Sequence, residues 1–400
     1  MESSEREIAG RLARWGRSGD PYHLWPEVEE RDFRRAMDEI GEVTRRVLRA
    51  PGVEPPLACT FSAPLRAVGV AAFASGMGPL LGYWAEAGRI ALAPDVASLL
   101  AEHLAQGRAR AVILDRGLGQ VLSALRDRGI EAAVLKGMHT AWTYFPDPGT
   151  RPCADLDLLV TPAHYGEACD VLARLGFRRG ATVAEPARSE WSPPDAAQVP
   201  RSLEITHAGS PWAVDVHATL DRSTRTGRTV GFGSPGMADT ALMDRGGQTI
   251  RVLPQPLALA WLALHTSDHL DFGPLVRFVE LVLVIRRDLG GDTAPWEEFL
   301  RLVNRAEAGR FVYPALELAE QLAPGVVPGE VRKALARSAP WLMRRVLARL
   351  RPEAAQQLYR FSLDLRLMWA GSPREWMASV ASLRRLRLLL GGKASLRAPR

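Results

Sequence analysis

The sequence contains little cysteine, almost no lysine and no long apolar segment. Its three cysteines, Cys59, Cys153 and Cys169, lack the paired spacing of a disulfide framework or a thiolate zinc site, and they fit a reducing compartment. No apolar run reaches the roughly 18 to 20 residues of a membrane span. The first residues are polar and acidic, which argues against a secretory signal. We therefore expect a cytoplasmic protein without a membrane partner.

Lysine is the rarest of the charged residues. Of 51 lysines and arginines only three are lysines, and Lys136 is the only lysine before Lys333. Genomic base composition explains the bias, but lysine is a compact point charge that suits phosphate oxygens and is not equivalent to arginine. The net charge of +6 permits nucleic-acid contact without requiring it. The basic end from Arg384 to Arg400 is most simply a solvated helix face and tail.

The periodicity of apolar residues predicts an α+β fold with a small mixed sheet between two helical regions. At 400 residues, with 47% hydrophobic and 24% charged residues, the chain has the composition of a globular protein of two or three subdomains. We expect a helical region over 1–125, the α/β core over 126–255 and a C-terminal helical region over 256–400.

Within the core, short apolar runs predict strands over Ile130–Leu135 and Ala154–Val160. Two further strands, Leu203–His207 and Ala213–Leu220, are predicted to form a hairpin. The proline-rich residues 184–200 are predicted to form an exposed loop, an excursion from the core. Before the core, residues 93–126 predict a long helix with a break near Gly107.

An Asp-x-Asp pair lies on the second of these strands. Side chains alternate along a strand, so Asp155 and Asp157 share one face while Leu156 and Leu158 face a core. Two neighbouring carboxylates repel each other, and a divalent cation between them removes that cost. The simpler alternative is a surface-facing pair beside a turn.

Two further groups accompany this pair. Lys136 and Gly137 end the preceding strand, where the lysine is either a phosphate ligand or a solvated strand terminus. Asp215 and His217 share one face of a later strand, where the aspartate is a third metal ligand or a hairpin surface residue.

Together these motifs resemble the uncharacterised nucleotidyltransferase family of the DNA polymerase β-like superfamily. The residues that carry the resemblance are Leu135-Lys136-Gly137, Pro146-Asp147-Pro148-Gly149, Arg151-Pro152, Asp155-Leu156-Asp157-Leu158-Leu159-Val160 and Val214-Asp215-Val216-His217. The resemblance implies a mixed sheet on which Asp155, Asp157 and Asp215 hold two Mg²⁺ ions and catalyse transfer of an NMP from an NTP. It further implies that Lys136 neutralises the triphosphate close to the Gly137 backbone, and that Arg151 is a second phosphate contact.

The sequence departs from the superfamily in two places. The hydroxyl expected after the first strand is missing from Lys136-Gly137-Met138, and Glu280 stands where we expect aspartate. The missing hydroxyl keeps open a non-catalytic nucleotide-binding module of the same fold. A third hypothesis is a zinc hydrolase that uses His265 and His269, spaced i and i+4 on one helix. The acceptor, whether small molecule, peptide, protein or RNA, carries no recognisable motif.

Overall fold

A computed structural model shows how these segments assemble. It describes residues 5–18, 20–49, 56–180, 187–224, 226–245, 247–270, 273–354, 367–377 and 379–380. The basic segment from Arg384 lies outside the described residues. None of the described helices is by itself long and apolar enough to cross a bilayer, although a pair bent by 111°, Leu65–Ala74 with Gly78–Glu86, meets the length and composition criteria jointly.

Helices precede and follow a central group of strands. The helices are α1 Glu5–Ser18, α2 Glu30–Arg49, α3 Leu65–Ala74, α4 Gly78–Glu86, α5 Pro94–Arg126, α6 Met138–Thr143, α7 Tyr165–Arg174, α8 Leu257–Asp268, α9 Leu275–Val284, α10 Thr293–Arg305, α11 Gly309–Leu322, α12 Gly329–Ser338 and α13 Trp341–Leu347. The strands are β1 Leu57–Ala58, β2 Ile90–Ala91, β3 Ala133–Val134, β4 Asp155–Leu159, β5 Arg178–Arg179, β6 Arg188–Ser192, β7 Ala213–His217, β8 Arg222–Ser223, β9 Thr229–Val230, β10 Ala241–Arg245 and β11 Gln248–Val252.

The main sheet has seven strands in the order β10-β11-β3-β4-β7-β6-β5. Strand β4 pairs with β7 in parallel and with β3 in antiparallel orientation, and β11 runs parallel to β3. The sheet is therefore mixed, which confirms the predicted α+β fold class.

Each face of the sheet packs against a different set of helices. Leu156, Leu158 and Val160 lie in a hydrophobic cluster with residues of α5 and α7, as the alternation of side chains predicts. The opposite face contributes Leu135 and Leu159 to a smaller cluster with Trp261 of α8. The Asp-x-Asp carboxylates belong to this second face, so they lie on the side covered by α8.

The predicted hairpin is wrong. Residues 203–207 form no strand, and the antiparallel partner of β7 is β6, which lies inside the segment 184–200 that we expected to be an excursion. Burial alternates along β6, with Ser189 and Trp191 buried. Three of the four prolines in this segment, Pro193, Pro194 and Pro200, follow Ser192, so they end the strand without interrupting it.

Helix α5 is continuous, so the predicted break near Gly107 is also wrong. Gly107 instead permits close packing: a methyl group there would overlap the carbonyl oxygen of Gly149, in the 3₁₀ turn Pro148–Thr150. The Arg108 Nε donates to Asp147 Oδ2 at 2.8 Å beside this contact. The glycine thus lets α5 hold the turn that leads into β4.

Helices from both ends of the chain share one hydrophobic cluster. It includes Met37 and Leu80 from the N-terminal helices and Phe278, Phe299 and Leu316 from the C-terminal helices. The two predicted helical regions therefore stabilise each other, while the domain bounds at residues 125 and 255 stay a prediction.

We expect Gly107→Ala to lower the free energy of unfolding by about 1–3 kcal/mol, because the new methyl group forces α5 away from Gly149. Gly119→Ala is the matched control on the same helix, since nothing lies within 4 Å of its Cβ position. There alanine is expected to stabilise by up to about 1 kcal/mol through helix propensity. Urea denaturation measures both, and equal effects would refute the packing role of Gly107.

His103 of α5 predicts an acid-sensitive stability. Burial lowers its pKa from 6.5 to about 4, so the folded protein resists a proton that the unfolded chain accepts. Stability is therefore complete above the unfolded pKa and is lost as the pH falls from 6.5 towards 4. Between pH 7 and pH 5 the wild type should lose about 2 kcal/mol more than His103→Leu, measured by denaturant unfolding. Parallel pH profiles for the two proteins would contradict this prediction.

Candidate functional site

The parallel pairing of β4 with β7 brings the predicted carboxylates together. Asp157 lies opposite Asp215 in the register, and Leu159 lies opposite His217. Cross-strand partners in a sheet project to the same face. Asp157 and Asp215 are almost completely buried, with 1% and 3% of their side chains exposed, whereas 37% of Asp155 is exposed.

Lys136 lies between the two carboxylates of β4. The backbone amide of Leu135 donates to the Asp157 carbonyl oxygen at 3.0 Å, which extends the pairing of β3 with β4 to the residue before the lysine. The Lys136 Nζ then donates to Asp157 Oδ2 at 2.5 Å and to Asp155 Oδ2 at 3.2 Å. Gly137 follows with φ of 69°, a conformation that favours glycine, and starts α6.

Asp215 has one paired and one unpaired oxygen. The Arg188 Nη2 of β6 donates to Asp215 Oδ2 at 2.5 Å. The buried Oδ1 accepts no hydrogen bond from the residues that the structure describes. A buried carboxylate oxygen without a donor is costly and suits a bound cation.

His217 completes a group of three possible ligands. Its Nε2 lies 3.3 Å from Asp157 Oδ1, and one donor atom each from Asp157, Asp215 and His217 lie within 4.8 Å of one another. Asp155 is outside this group and is joined to it through Lys136. Two carboxylates and an imidazole fit a divalent cation, and Asp155 adds a third carboxylate at the exposed edge.

The pKa shifts reflect this crowding. Burial alone would raise the pKa of Asp157, but the Lys136 ammonium and the hydrogen bond with His217 hold it well below its ordinary value. Burial would lower the pKa of Lys136, yet Asp155 and Asp157 raise it. Burial raises the pKa of Asp215, Asp157 adds to this rise, and Arg188 only partly offsets it. The electrostatic repulsion between Asp157 and Asp215 is therefore only partly compensated, and it acts on Asp215.

Two residues of β6 at the site were missed from the sequence. Glu190 pairs in register with Asp215, and Arg188 pairs with His217, so both project onto the carboxylate face. Burial, together with the charges of Asp215 and Asp155, raises the pKa of Glu190. The signal was the alternation Arg-Ser-Glu-Trp-Ser, which the neighbouring prolines obscured.

Arg151 is placed beside the site but is engaged with the protein. Its Nε and Nη2 both donate at 3.0 Å to the Glu280 carboxylate of α9, and its Nη1 donates to the Pro152 carbonyl oxygen at 3.2 Å. The Thr140 hydroxyl also donates to Glu280. This buried pair connects the loop before β4 to α9 and accounts for Glu280. A phosphate contact of Arg151 stays a prediction.

His265 and His269 are held by an arginine. The Arg222 Nη1 lies 3.1 Å from His265 Nδ1, and its Nη2 lies 3.4 Å from His269 Nε2 and 3.2 Å from Asp268 Oδ2. A permanently charged guanidinium between two imidazoles is a poor environment for Zn²⁺. The arrangement thus disfavours the zinc hypothesis.

Comparison with known protein families gives a match over more than half of the chain. The model of a family described as "Uncharacterised nucleotidyltransferase" matches residues 68–324, which include every residue of the site. No curated protein and no solved structure matches the chain.

The Arg151–Glu280 pair predicts a test of how the site is held. We expect Glu280→Leu to lower the free energy of unfolding by about 3–5 kcal/mol, because it leaves a buried guanidinium without its counter-ion. The double variant Arg151→Met/Glu280→Leu removes both charges and should recover part of that loss. Glu298→Leu, which breaks an exposed pair with Arg301, is the control. Arg151→Met alone completes the cycle. A loss in the double variant as large as the losses of Glu280→Leu and Arg151→Met added together would contradict the pairing.

Proposed function

Since the chain belongs to the uncharacterised nucleotidyltransferase family, we propose that it transfers an NMP group from an NTP to an acceptor hydroxyl. In this reaction the acceptor oxygen bonds to the α-phosphorus. The bond from that phosphorus to the oxygen bridging to the β-phosphate breaks, and pyrophosphate leaves with the electron pair. The acceptor class and the preferred base stay open, as does the cytoplasmic location predicted from composition.

The observation that carries this proposal is the buried pairing in register of Asp157 with Asp215, together with an Asp215 Oδ1 that has no donor among the described residues. Asp155, Asp157 and Asp215 would hold Mg²⁺, with His217 as a neighbouring nitrogen donor. When bound, the ions would stabilise the charge that develops on the attacking and leaving oxygens. The number of ions, two in the predicted mechanism, is part of the proposal.

Besides holding the metal ions, the side chains of the site would transfer a proton and bind phosphate. Asp215, one of the carboxylates that would hold the ion, would also take the proton of the acceptor hydroxyl. Lys136, which now pairs with Asp155 and Asp157, would bind phosphate oxygens if these carboxylates held Mg²⁺ instead. Gly137, whose backbone adopts a positive φ, lets the chain turn sharply beside it.

A nucleotide-binding module without turnover is the second candidate. The observation in its favour is that each predicted metal ligand already contacts a cation of the chain: Lys136 for Asp155 and Asp157, and Arg188 for Asp215. If these contacts persist with nucleotide bound, Mg²⁺ gains little at the site. Calorimetry that finds NTP binding without product from a broad set of acceptors would favour this module.

The transferase proposal predicts that purified protein releases pyrophosphate from an NTP with Mg²⁺ and a cell extract as source of acceptor. Asp157→Asn keeps the shape of the side chain but removes the charge, so kcat should fall by at least about a thousandfold. Asp215→Asn is expected to behave alike. A coupled pyrophosphate assay, with radiolabelled NTPs to identify the labelled acceptor, measures the effect.

Asp170→Asn, which changes an exposed carboxylate on α7, is the matched control and should retain wild-type turnover. Circular dichroism of each variant separates lost chemistry from lost folding. Unchanged pyrophosphate release in folded Asp157→Asn would rule out the metal-dependent mechanism.

A further inference from the structure

Across from the carboxylates, helices α8 and α9 present unpaired hydrogen-bond donors. Arg277 of α9 is partly exposed as a residue, but its Nη1 is buried and meets no acceptor among the described residues. His265 of α8 has 7% exposure, and its Nε2 is likewise buried and without a partner in the described part of the chain. Buried polar atoms normally have a hydrogen-bond partner, so two donor atoms without an acceptor in one region indicate a ligand site.

The tautomer of His265 follows from its neighbour. Arg222 can only donate, so His265 Nδ1, at 3.1 Å from its Nη1, must accept. The remaining hydrogen of a neutral imidazole is then on Nε2. Burial and the nearby charges of Lys136, Arg277 and Arg222 lower the pKa of this histidine well below 6.5, which keeps it neutral. The orphan nitrogen is therefore an N–H donor and needs an acceptor oxygen.

Both donors lie near the catalytic carboxylates. The pKa of Arg277 responds to the charges of Asp155 and Asp157, and that of His265 responds to Lys136 and Arg277. Ring contacts also connect His265 to the site. The ring of His265 stacks on Trp261 with 5.8 Å between ring centroids, and Trp261 and His217 make an edge contact with centroids 6.1 Å apart. Lys136, Arg277 and His265 therefore form a group of donors next to the carboxylate group.

Arg277 lies beside the ion pair of Arg151 with Glu280. Arg277 and Glu280 are three residues apart on α9 and so share a helix face. Burial lowers the pKa of Arg277, and the charges of Arg151 and Glu280 also act on it, so the guanidinium lies near this ion pair. A guanidinium nitrogen that is buried and has no acceptor among the described residues is suited to charge-assisted hydrogen bonds with anionic oxygens.

We propose that Arg277 and His265, with Lys136, form a subsite for the β- and γ-phosphates of the nucleotide. This assignment rests on the proposed function and deepens it. A chain of phosphates supplies several acceptor oxygens at once, whereas a monophosphate at the carboxylates would leave the α8–α9 donors unpaired. The subsite thus selects triphosphates and holds the pyrophosphate that leaves.

The test measures binding of ATP, AMP and inorganic tripolyphosphate with Mg²⁺ by calorimetry. Arg277→Met should weaken ATP and tripolyphosphate about 10- to 100-fold and leave AMP within about threefold. Arg277→Lys should restore part of the loss, and His265→Leu should weaken the same two ligands. Arg286→Met, which changes an exposed arginine just beyond α9, is the control. Thermal unfolding without ligand confirms that each variant folds.

The outcomes separate the subsite from the reaction. The subsite is overturned if wild type and Arg277→Met bind ATP and tripolyphosphate with equal affinity. It is also overturned if Arg277→Met weakens AMP binding as much as ATP binding. Both conclusions hold even if the protein releases pyrophosphate. If wild type neither binds ATP nor releases pyrophosphate, the proposed function fails. The subsite then depends on tripolyphosphate alone, and absence of Arg277-dependent binding overturns it as well.

Discussion

Repulsion between two buried carboxylates is the constraint on which this structure depends. The parallel register of β4 and β7 sets Asp157 beside Asp215 with almost no exposure to solvent. Ionised groups so close together in a buried position are tolerated only with compensating charge. Lys136, just after β3, and Arg188 of β6 supply that charge from opposite sides of the pair.

This compensation is incomplete in a way that fits a function. Lys136 lowers the pKa of Asp157, but the pKa of Asp215 stays raised and one of its oxygens is unpaired. On the helices opposite, Arg277 and His265 carry donors without acceptors among the described residues. One unsatisfied acceptor on the sheet and unsatisfied donors on the helices support the proposal that a cation and a polyanion bind here together.

The fold that holds this cleft was predicted in outline from local pattern. The strand at 155–159, the long helix before the core and the mixed sheet follow from periodicity and from glycine and proline signals, because neighbouring residues largely decide them. The hairpin partner of β7 was wrong, since strand pairing is a long-range choice and the prolines near β6 were read as a loop. The predicted break at Gly107 was wrong because this glycine serves close packing against Gly149, 42 positions away in the sequence.

The sequence by itself determined the chemical types of the site: a lysine after one strand, an Asp-x-Asp on the next and an Asp-x-His on a later one. Alternation along each strand places such residues on a common face regardless of the partner. Only the tertiary structure decided which of them meet. Register set Asp157 against Asp215, and β6 added Arg188 and Glu190. Helix packing paired Arg151 with Glu280 and left the Nη1 of Arg277 without an acceptor among the described residues, because contacts between distant segments depend on the packing of the whole chain and on no local pattern.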